Sequence, residues 1–397
     1  MTLDWLIIGG GIHGVHIATR LMADADIPAD RLRIVDPGPR LLARWHDCTR
    51  TTGMTYLRSP SVHHLDVAPM SLQNFAGTRQ RRDKTLFTAP YDRPSLQLFN
   101  DHCDKLTRDL GLANLQIRAS ASACVPGNDG VTVSLSDGRT IHTRNVVLAL
   151  GAGDQPAWPD WAPRDHDRVH HVFEPGFAAW PTRDETTLVV GGGISAGHVS
   201  LRLVAEGHRP HLISRHELRI HQFDSDPGWL GPKYTVGFHQ EPDHDRRRAV
   251  ITKARHRGSM TPDMGRAVRR GIARSHIQWH EAEVTAFEEQ AGRLSLRTSV
   301  GTHLAVDRIL LATGFARRRP GGSMIDGLIA SASLPCASCG YPIVDESLRW
   351  HPGVYVSGPL AELELGPVSR NIAGARRAGD RIAAAARASN MTMKSAG

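Results

Sequence analysis

Short apolar runs, each followed at once by a cluster of glycines, recur along this chain. Trp5 to Ile8 (W-L-I-I) is apolar at consecutive positions, the pattern of a strand buried on both faces. Gly9, Gly10, Gly11, Ile12, His13 and Gly14 come next, and Val15 to Met22 then carries apolar residues at helical intervals. Arg31 to Val35 (R-L-R-I-V) predicts a second strand, which Asp36 closes. The same order returns mid-chain. Thr187 to Val190 predicts a strand, Gly191 to Ala196 a glycine turn, His198 to Ala205 a helix, and His211 to Ile213 a strand running into Ser214, Arg215 and His216. Two more apolar runs end in small residues: Asn145 to Leu150 before Gly151, Ala152 and Gly153, and Arg308 to Leu311 before Ala312, Thr313, Gly314 and Phe315. Val354 to Ser357 predicts a last strand ending at Gly358, Asn371 to Ala386 a C-terminal helix, and Ser389 to Gly397 a disordered tail.

The first glycine cluster has the spacing G-x-G-x-x-G between a strand and a helix. Gly9 makes the tight turn, Gly11 admits a pyrophosphate to the backbone, and Gly14 lets the helix pack on the strand. Phosphates would rest on the helix N-terminus around Ile12 and His13, and Asp36 stands where an acid binds ribose hydroxyls. The second cluster, Gly191, Gly193, Ile194, Ser195 and Ala196, is the G-x-G-x-x-A form. Its strand ends in Arg215 instead of an acid, which suits the 2′-phosphate of NADPH better than the free hydroxyls of NADH. Two adenine dinucleotides in one chain point to FAD at the first site and NADPH at the second. The expected fold is α/β, with two Rossmann-like dinucleotide-binding domains, the NADPH domain inserted into the FAD domain. The expected division is 1–156 and 312–388 for FAD, 157–311 for NADPH, and 389–397 for the tail.

Composition narrows the function classes. The chain has 397 residues, no apolar run near the roughly 20 that a membrane-spanning helix needs, and no basic leader at Met1 to Trp5. Five cysteines make no disulfide framework in a chain this long, so a cytoplasmic, reducing compartment is expected. The net charge is +8, with five lysines against 43 arginines. The arginines are spread along the chain and match no nucleic-acid-binding motif, so they read as compositional bias with a mild preference for anionic ligands. The histidines show no metal-binding spacing, and no metal is expected.

Trp45-His46, then Gly53 and Met54 leading into M-T-Y-L-R-S-P, and the A-T-G-F at Ala312 to Phe315 resemble the flavin-dependent N-hydroxylating monooxygenases, the lysine and ornithine N-hydroxylases, and more broadly the class B flavoprotein monooxygenases. The resemblance implies that NADPH reduces FAD, that the reduced flavin and O2 form a C4a-hydroperoxide shielded from water, and that a nitrogen or sulfur of a small polar metabolite takes up the oxygen. It implies that Arg44, Trp45, His46, Met54, Gly151, Thr313, Gly314, Gly358 and Leu365 lie along the cofactors. The amino-acid hydroxylases carry a lysine where this chain has Arg58. Related enzymes are often dimers or tetramers, and a homo-oligomer stays open.

Arg58 and Ser59 fall in the stretch placed against the flavin, where Arg58 would hold a substrate carboxylate or serve as a flavin-phosphate or structural arginine. His63, or its neighbour His64, is a candidate to face the pocket. Phe223 to Tyr234 reads as an irregular loop, with Trp229 and Lys233 either approaching nicotinamide and substrate or plugging the domain joint. Glu362 and Glu364 lie beside the flavin or on the surface. Thioredoxin reductases also combine FAD, NADPH and a Cys-x-x-Cys, so a reductase working through Cys336 and Cys339 is the alternative.

Overall fold

A computed structural model describes residues 3–79 and 83–395. Two parallel sheets dominate it. In the first, the strands run in the order Val354–Val356, Thr140–Leu148, Leu3–Ile8, Leu32–Val35, Gln116–Ile117, all parallel. The hairpin Ala121–Gly127 and Gly130–Leu135 extends from Thr140–Leu148, and Arg349–His351 adds an antiparallel edge. In the second sheet the order is Gln278–Glu281, His211–Ser214, Thr187–Val190, Arg308–Leu311, Val169–His171, again all parallel.

The two sheets share one plan. Each places a glycine-loop strand between the strand that follows in sequence and a strand from further along the chain. Ile8 pairs with both Val35 and Leu148, and Val190 with both Ile213 and Leu311. A crevice opens beyond the carboxyl ends of such strands, where the order reverses, and dinucleotides bind there. The strands are nearly continuous apolar runs because helices cover both faces. Helix Ile12–Asp24 packs between the first sheet and the long helix Ile372–Ser395, with Val15, Ile17, Leu21, Ala378 and Ile382 buried.

The chain passes between the sheets twice, side by side. Ala149 to Pro156 leaves the first sheet, and Ala312 to Phe315 returns from the second. Pro156 and Phe315 form an antiparallel bridge, with Ala157 N donating to Gly314 O at 2.9 Å and Ala316 N to Gln155 O at 2.8 Å. Arginines fasten the rest of the joint. Arg202 donates to the carbonyls of Arg50 and Thr51, Arg247 to that of Leu363 and Arg255 to that of Pro367, while Arg93, almost fully buried, pairs with Asp263 at 2.9 Å. Many of the arginines that read as compositional bias therefore bridge the two sheets, where a guanidinium serves several carbonyls at once.

Two expectations need correction. The tail after Ser389 is not irregular: the final helix runs unbroken to Ser395, tied by Arg387 to Asp24 O and by Asn390 to Ala25 O. Its alanine-rich composition favours helix, and docking on Ile12–Asp24 supplies the packing that an isolated tail lacks. Residues 396–397 lie outside the described residues. Within Phe223–Tyr234, Pro227–Leu230 is a 3₁₀ turn and Pro232 opens a helix to Gln240, because proline suits the first helical position.

Truncating Ile382, fully buried beneath the first helix, tests the helix's share in the core. Ile382→Ala should lower unfolding free energy by about 2–5 kcal/mol in urea melts; a change within error would mean that the helix contributes little.

Candidate functional site

The two glycine loops are built alike. Gly9 has φ +113° and Gly191 φ +148°. A Cβ on Gly9 would stand 2.5 Å from Ala149 O, and one on Gly191 2.5 Å from Ala312 O. Each loop thus presses against the chain just where it leaves to cross between the sheets. A Cβ on Gly14 would stand 1.8 Å from Gly9 O, whereas Ala196 replaces that glycine in the second loop. Helices Ile12–Asp24 and Ile194–Ala205 start at Gly11 and Gly193, with no side-chain cap and no acid in the first turn. Their first N–H groups are left for an anion. A Cβ on Gly11 would meet nothing within 4 Å, so backbone is open to a ligand there. Both loops therefore fit a dinucleotide pyrophosphate.

The strand ends differ in charge. Asp36 accepts from Gly10 N at 2.6 Å and from Gly38 N at 2.8 Å, fixing the loop while each oxygen keeps a further lone pair for ribose. In the second unit Ser214 takes the corresponding place: a Cβ on Gly192 would lie 3.1 Å from Ser214 Cβ, as one on Gly10 would lie 2.9 Å from Asp36 Cβ. Arg215 is next, exposed and without hydrogen bond or ion pair among the described residues. A neutral serine beside an unpaired arginine fits a 2′-phosphate.

Other sequence-predicted residues gather along the joint. Arg44, Trp45 and His46 ride on helix Ala43–Thr52. Arg44 donates to the carbonyls of Gly153 and Phe173, linking the first crossing to the second sheet's side. Trp45 donates to Asn100 Oδ1 at 2.9 Å, and Met54 packs at the edge of the first core. Burial holds the His46 pKa below the ordinary value. His13 shares a hydrogen bond with Ser357 Oγ at 2.7 Å, and burial lowers its pKa to about 4, so it is neutral at pH 7. The Thr313 hydroxyl donates to Ala157 O at 2.5 Å and meets His171 Nε2 at 3.1 Å. Gly151 is exposed and Gly314 has open space on its Cβ side, beside Phe315 stacked on Phe173 at 5.0 Å. Gly358 O accepts from Ser369 Oγ at 2.5 Å, and Leu365 is buried in the first core.

The expected substrate-facing set is dispersed. Arg58 donates to the carbonyls of His221, Gln222 and Phe223, to Asp224 at 2.6 Å and to Ser259 Oγ at 3.0 Å. Its guanidinium is committed to stapling the joint, which overturns the expectation of a free carboxylate clamp. Trp229 is buried with Phe238, Ile251, Tyr341, Leu363 and Val368, so it plugs the joint, and Lys233 is exposed over the Tyr234 ring at 5.0 Å. Ser59 is half-buried. His63 is half-buried, with its pKa lowered to about 4 mainly by burial; His64 is buried and bonds Pro69 O. Glu362 and Glu364 are neither exposed nor bare: Glu362 meets Arg370 at 2.7 Å and Arg248 at 3.1 Å, and Glu364 meets Arg381 at 2.7 Å. Cys336 and Cys339 are free thiols, and burial pushes Cys336 up, opposite to a reactive thiol. Two features escaped the sequence reading: Ser214 in the acid's place, and the arginines gathered around Glu362. The first needs the strand's true end, and the second needs three distant stretches, 248–257, 317 and 362–370, brought together.

Because Gly11 touches nothing, Gly11→Ala should leave the apoprotein's melting temperature unchanged while the purified protein loses flavin absorbance. A variant that stays yellow would place the pyrophosphate elsewhere.

Comparison with known proteins bears on the whole chain. A family model described as FAD-NAD(P)-binding matches residues 6–153, and one described as L-lysine 6-monooxygenase/L-ornithine 5-monooxygenase matches residues 118–317, half of the chain. The solved ornithine hydroxylase PvdA from Pseudomonas aeruginosa superposes with TM-score 0.76 over 98% of this chain and 99% of its own, at 16% identity. The bacillithiol disulfide reductase Bdr from Bacillus cereus superposes with TM-score 0.64 over 98% and 99%, at 18% identity. These two show a common fold. Ferredoxin–NADP reductase 2 of Latilactobacillus sakei is 30% identical over 105 residues, covering 26% of this chain and 31% of that relative's length. On the match across half its length, the chain belongs to the L-lysine 6-monooxygenase/L-ornithine 5-monooxygenase family, and it is an FAD- and NADPH-dependent oxidoreductase.

Proposed function

We propose that this protein is an NADPH-dependent flavin monooxygenase that oxygenates a nitrogen, or a sulfur, of a small polar metabolite by way of a C4a-hydroperoxyflavin. The observation that carries the reading is the pairing of the two crossings, which turns two uncapped nucleotide loops toward one joint. On this reading residues 1–156 and 312–388 hold FAD and residues 157–311 hold NADPH, in a cytoplasmic protein. FAD supplies the redox chemistry and the activation of O2.

The chain's own residues bind, orient and exclude water. Gly9, Gly11, Gly14 and Asp36 hold one dinucleotide; Gly191, Gly193, Ile194, Ser195, Ala196 and Arg215 hold the other. The buried plug of Trp229, Phe238, Tyr341, Leu363 and Val368 keeps water out of its part of the joint, as a water-sensitive flavin site would need. His13, His63 and His171 stay neutral at pH 7 and add no charge to a site where an amine must react unprotonated. No described helix is long and apolar enough to cross a membrane.

Oxygen uptake with NADPH, FAD and a panel of amines and thiols tests the reading. One class should raise uptake and yield a product heavier by one oxygen atom. NADPH oxidation that gives hydrogen peroxide with every compound, or turnover abolished by Cys336→Ser, would overturn it. The nucleotide assignment has its own test. Arg215→Ser should raise KM for NADPH about 10- to 100-fold, the worth of a charged hydrogen bond, and leave KM for NADH unchanged. Equal effects on both would place the 2′-phosphate elsewhere.

A further inference from the structure

The joint carries more positive charge than it neutralises. Arg248 ends a turn of helix His244–Ala254, and Arg255 and Arg257 follow that helix. Arg317 lies just beyond the second crossing, and Arg370 closes the 3₁₀ turn Gly366–Arg370. One buried carboxylate, Glu362, serves this group, pairing with Arg370 and Arg248; burial works against its charge, but Arg370, Arg248 and Arg255 outweigh it and hold its pKa low. Asp224 also draws Arg255 but is bonded to Arg58. Buried Nε atoms of both Arg248 and Arg370 find no acceptor among the described residues. The side chain of Arg257, a half-buried residue, makes no hydrogen bond or ion pair among the described residues. Burial first, and then Arg317, Arg255 and Arg370, push its pKa down to about 10, so it remains a cation repelled by its neighbours. Half-buried charges of one sign are costly without a counter-ion.

The place of this surplus matters. Gly258, next to Arg257, lies over the second glycine loop: its Cα is 3.4 Å from where a Cβ on Gly193 would be. Ser369, next to Arg370, bonds Gly358 O at the end of the last strand of the first sheet. Arg317 is two residues past Phe315. Arg257, Arg317 and Arg370 therefore stand between the two nucleotide loops.

We propose that Arg257, Arg317 and Arg370 form an anion site that seats a carboxylate or phosphate group of the substrate, with Glu362 setting the position of Arg370. The inference rests on the joint being the substrate site, and it narrows the metabolite to an anionic one. The NADPH pyrophosphate is the other source of the same chemistry. It already has the open N–H groups of helix Ile194–Ala205, and Arg257 lies among Arg317, Arg255, Arg370 and Glu362.

Calorimetric titration of the FAD holoenzyme saturated with NADP+, using malonate and inorganic phosphate as probes, tests this. At least one probe should bind, and Arg257→Gln should weaken it about tenfold or more, the worth of a charged hydrogen bond, while the Kd for NADP+ stays unchanged. The Arg257 side chain has no partner to orphan among the described residues, so that variant should melt at or above the parent temperature; Arg317→Gln, at an exposed position, is the second variant. Probes that bind only without NADP+ would assign the charge to the nucleotide and overturn the proposal, as would no binding of either probe. Probe binding involves no oxygen chemistry. Its loss beside intact substrate oxygenation would remove the anion site alone, and failed oxygenation beside intact probe binding would remove the monooxygenase reading alone.

Discussion

Everything in this molecule follows from one close approach, made twice. A glycine without a Cβ lets the first loop lie against the carbonyl of Ala149, and another lets the second loop lie against that of Ala312. A side chain at either place would collide with backbone, which cannot move without breaking the parallel ladder. The approach has two consequences. It brings the chain round to a second glycine, Gly11 or Gly193, from which the helix starts with no side-chain cap and free N–H groups. It also fixes where the chain departs for the other sheet, so the two crossings leave from matching points and pair at Pro156 and Phe315. Two nucleotide sites built this way face one joint.

Within that common plan, chemistry is set by what stands at the strand ends and along the joint. Asp36 locks the first loop and offers acceptors to a ribose; Ser214 and Arg215 withdraw the negative charge and add a positive one at the second. Arginines then do two kinds of work between the sheets. Arg58, Arg202 and Arg247 spend their donors on backbone carbonyls and hold the units together. The guanidinium groups of Arg257 and Arg317 have no acceptor among the described residues. A guanidinium with no acceptor, in a place already short of carboxylates, is best explained by a ligand that brings the negative charge.

The glycine loops and their strands were legible in the sequence because each is local: strand, turn, helix and terminal residue follow within about 35 positions. Arg58 shows where that legibility stops. Its place beside the flavin segment was read from a motif, yet its partners come from His221 to Asp224 and from Ser259, contacts that no spacing announces. Trp229 sat in a stretch rich in glycine and proline and read equally as a ligand contact or a plug. Only the burial of Tyr341, Leu363 and Val368 around it decides for the plug. The tail read as disordered because its last residues are small and polar, and its helix is held by packing on a segment more than 350 residues away in sequence.

The most direct test of this account is to reduce the purified yellow protein with NADPH in the absence of air, mix it with O2, and follow flavin absorbance by stopped flow. The account predicts fast reduction by NADPH, then a transient distinct from oxidised and reduced flavin that persists while NADP+ is bound and collapses faster when NADP+ is removed. Direct return to oxidised flavin, the same with and without NADP+ and with every candidate substrate, would contradict a joint in which the second nucleotide shields the chemistry of the first.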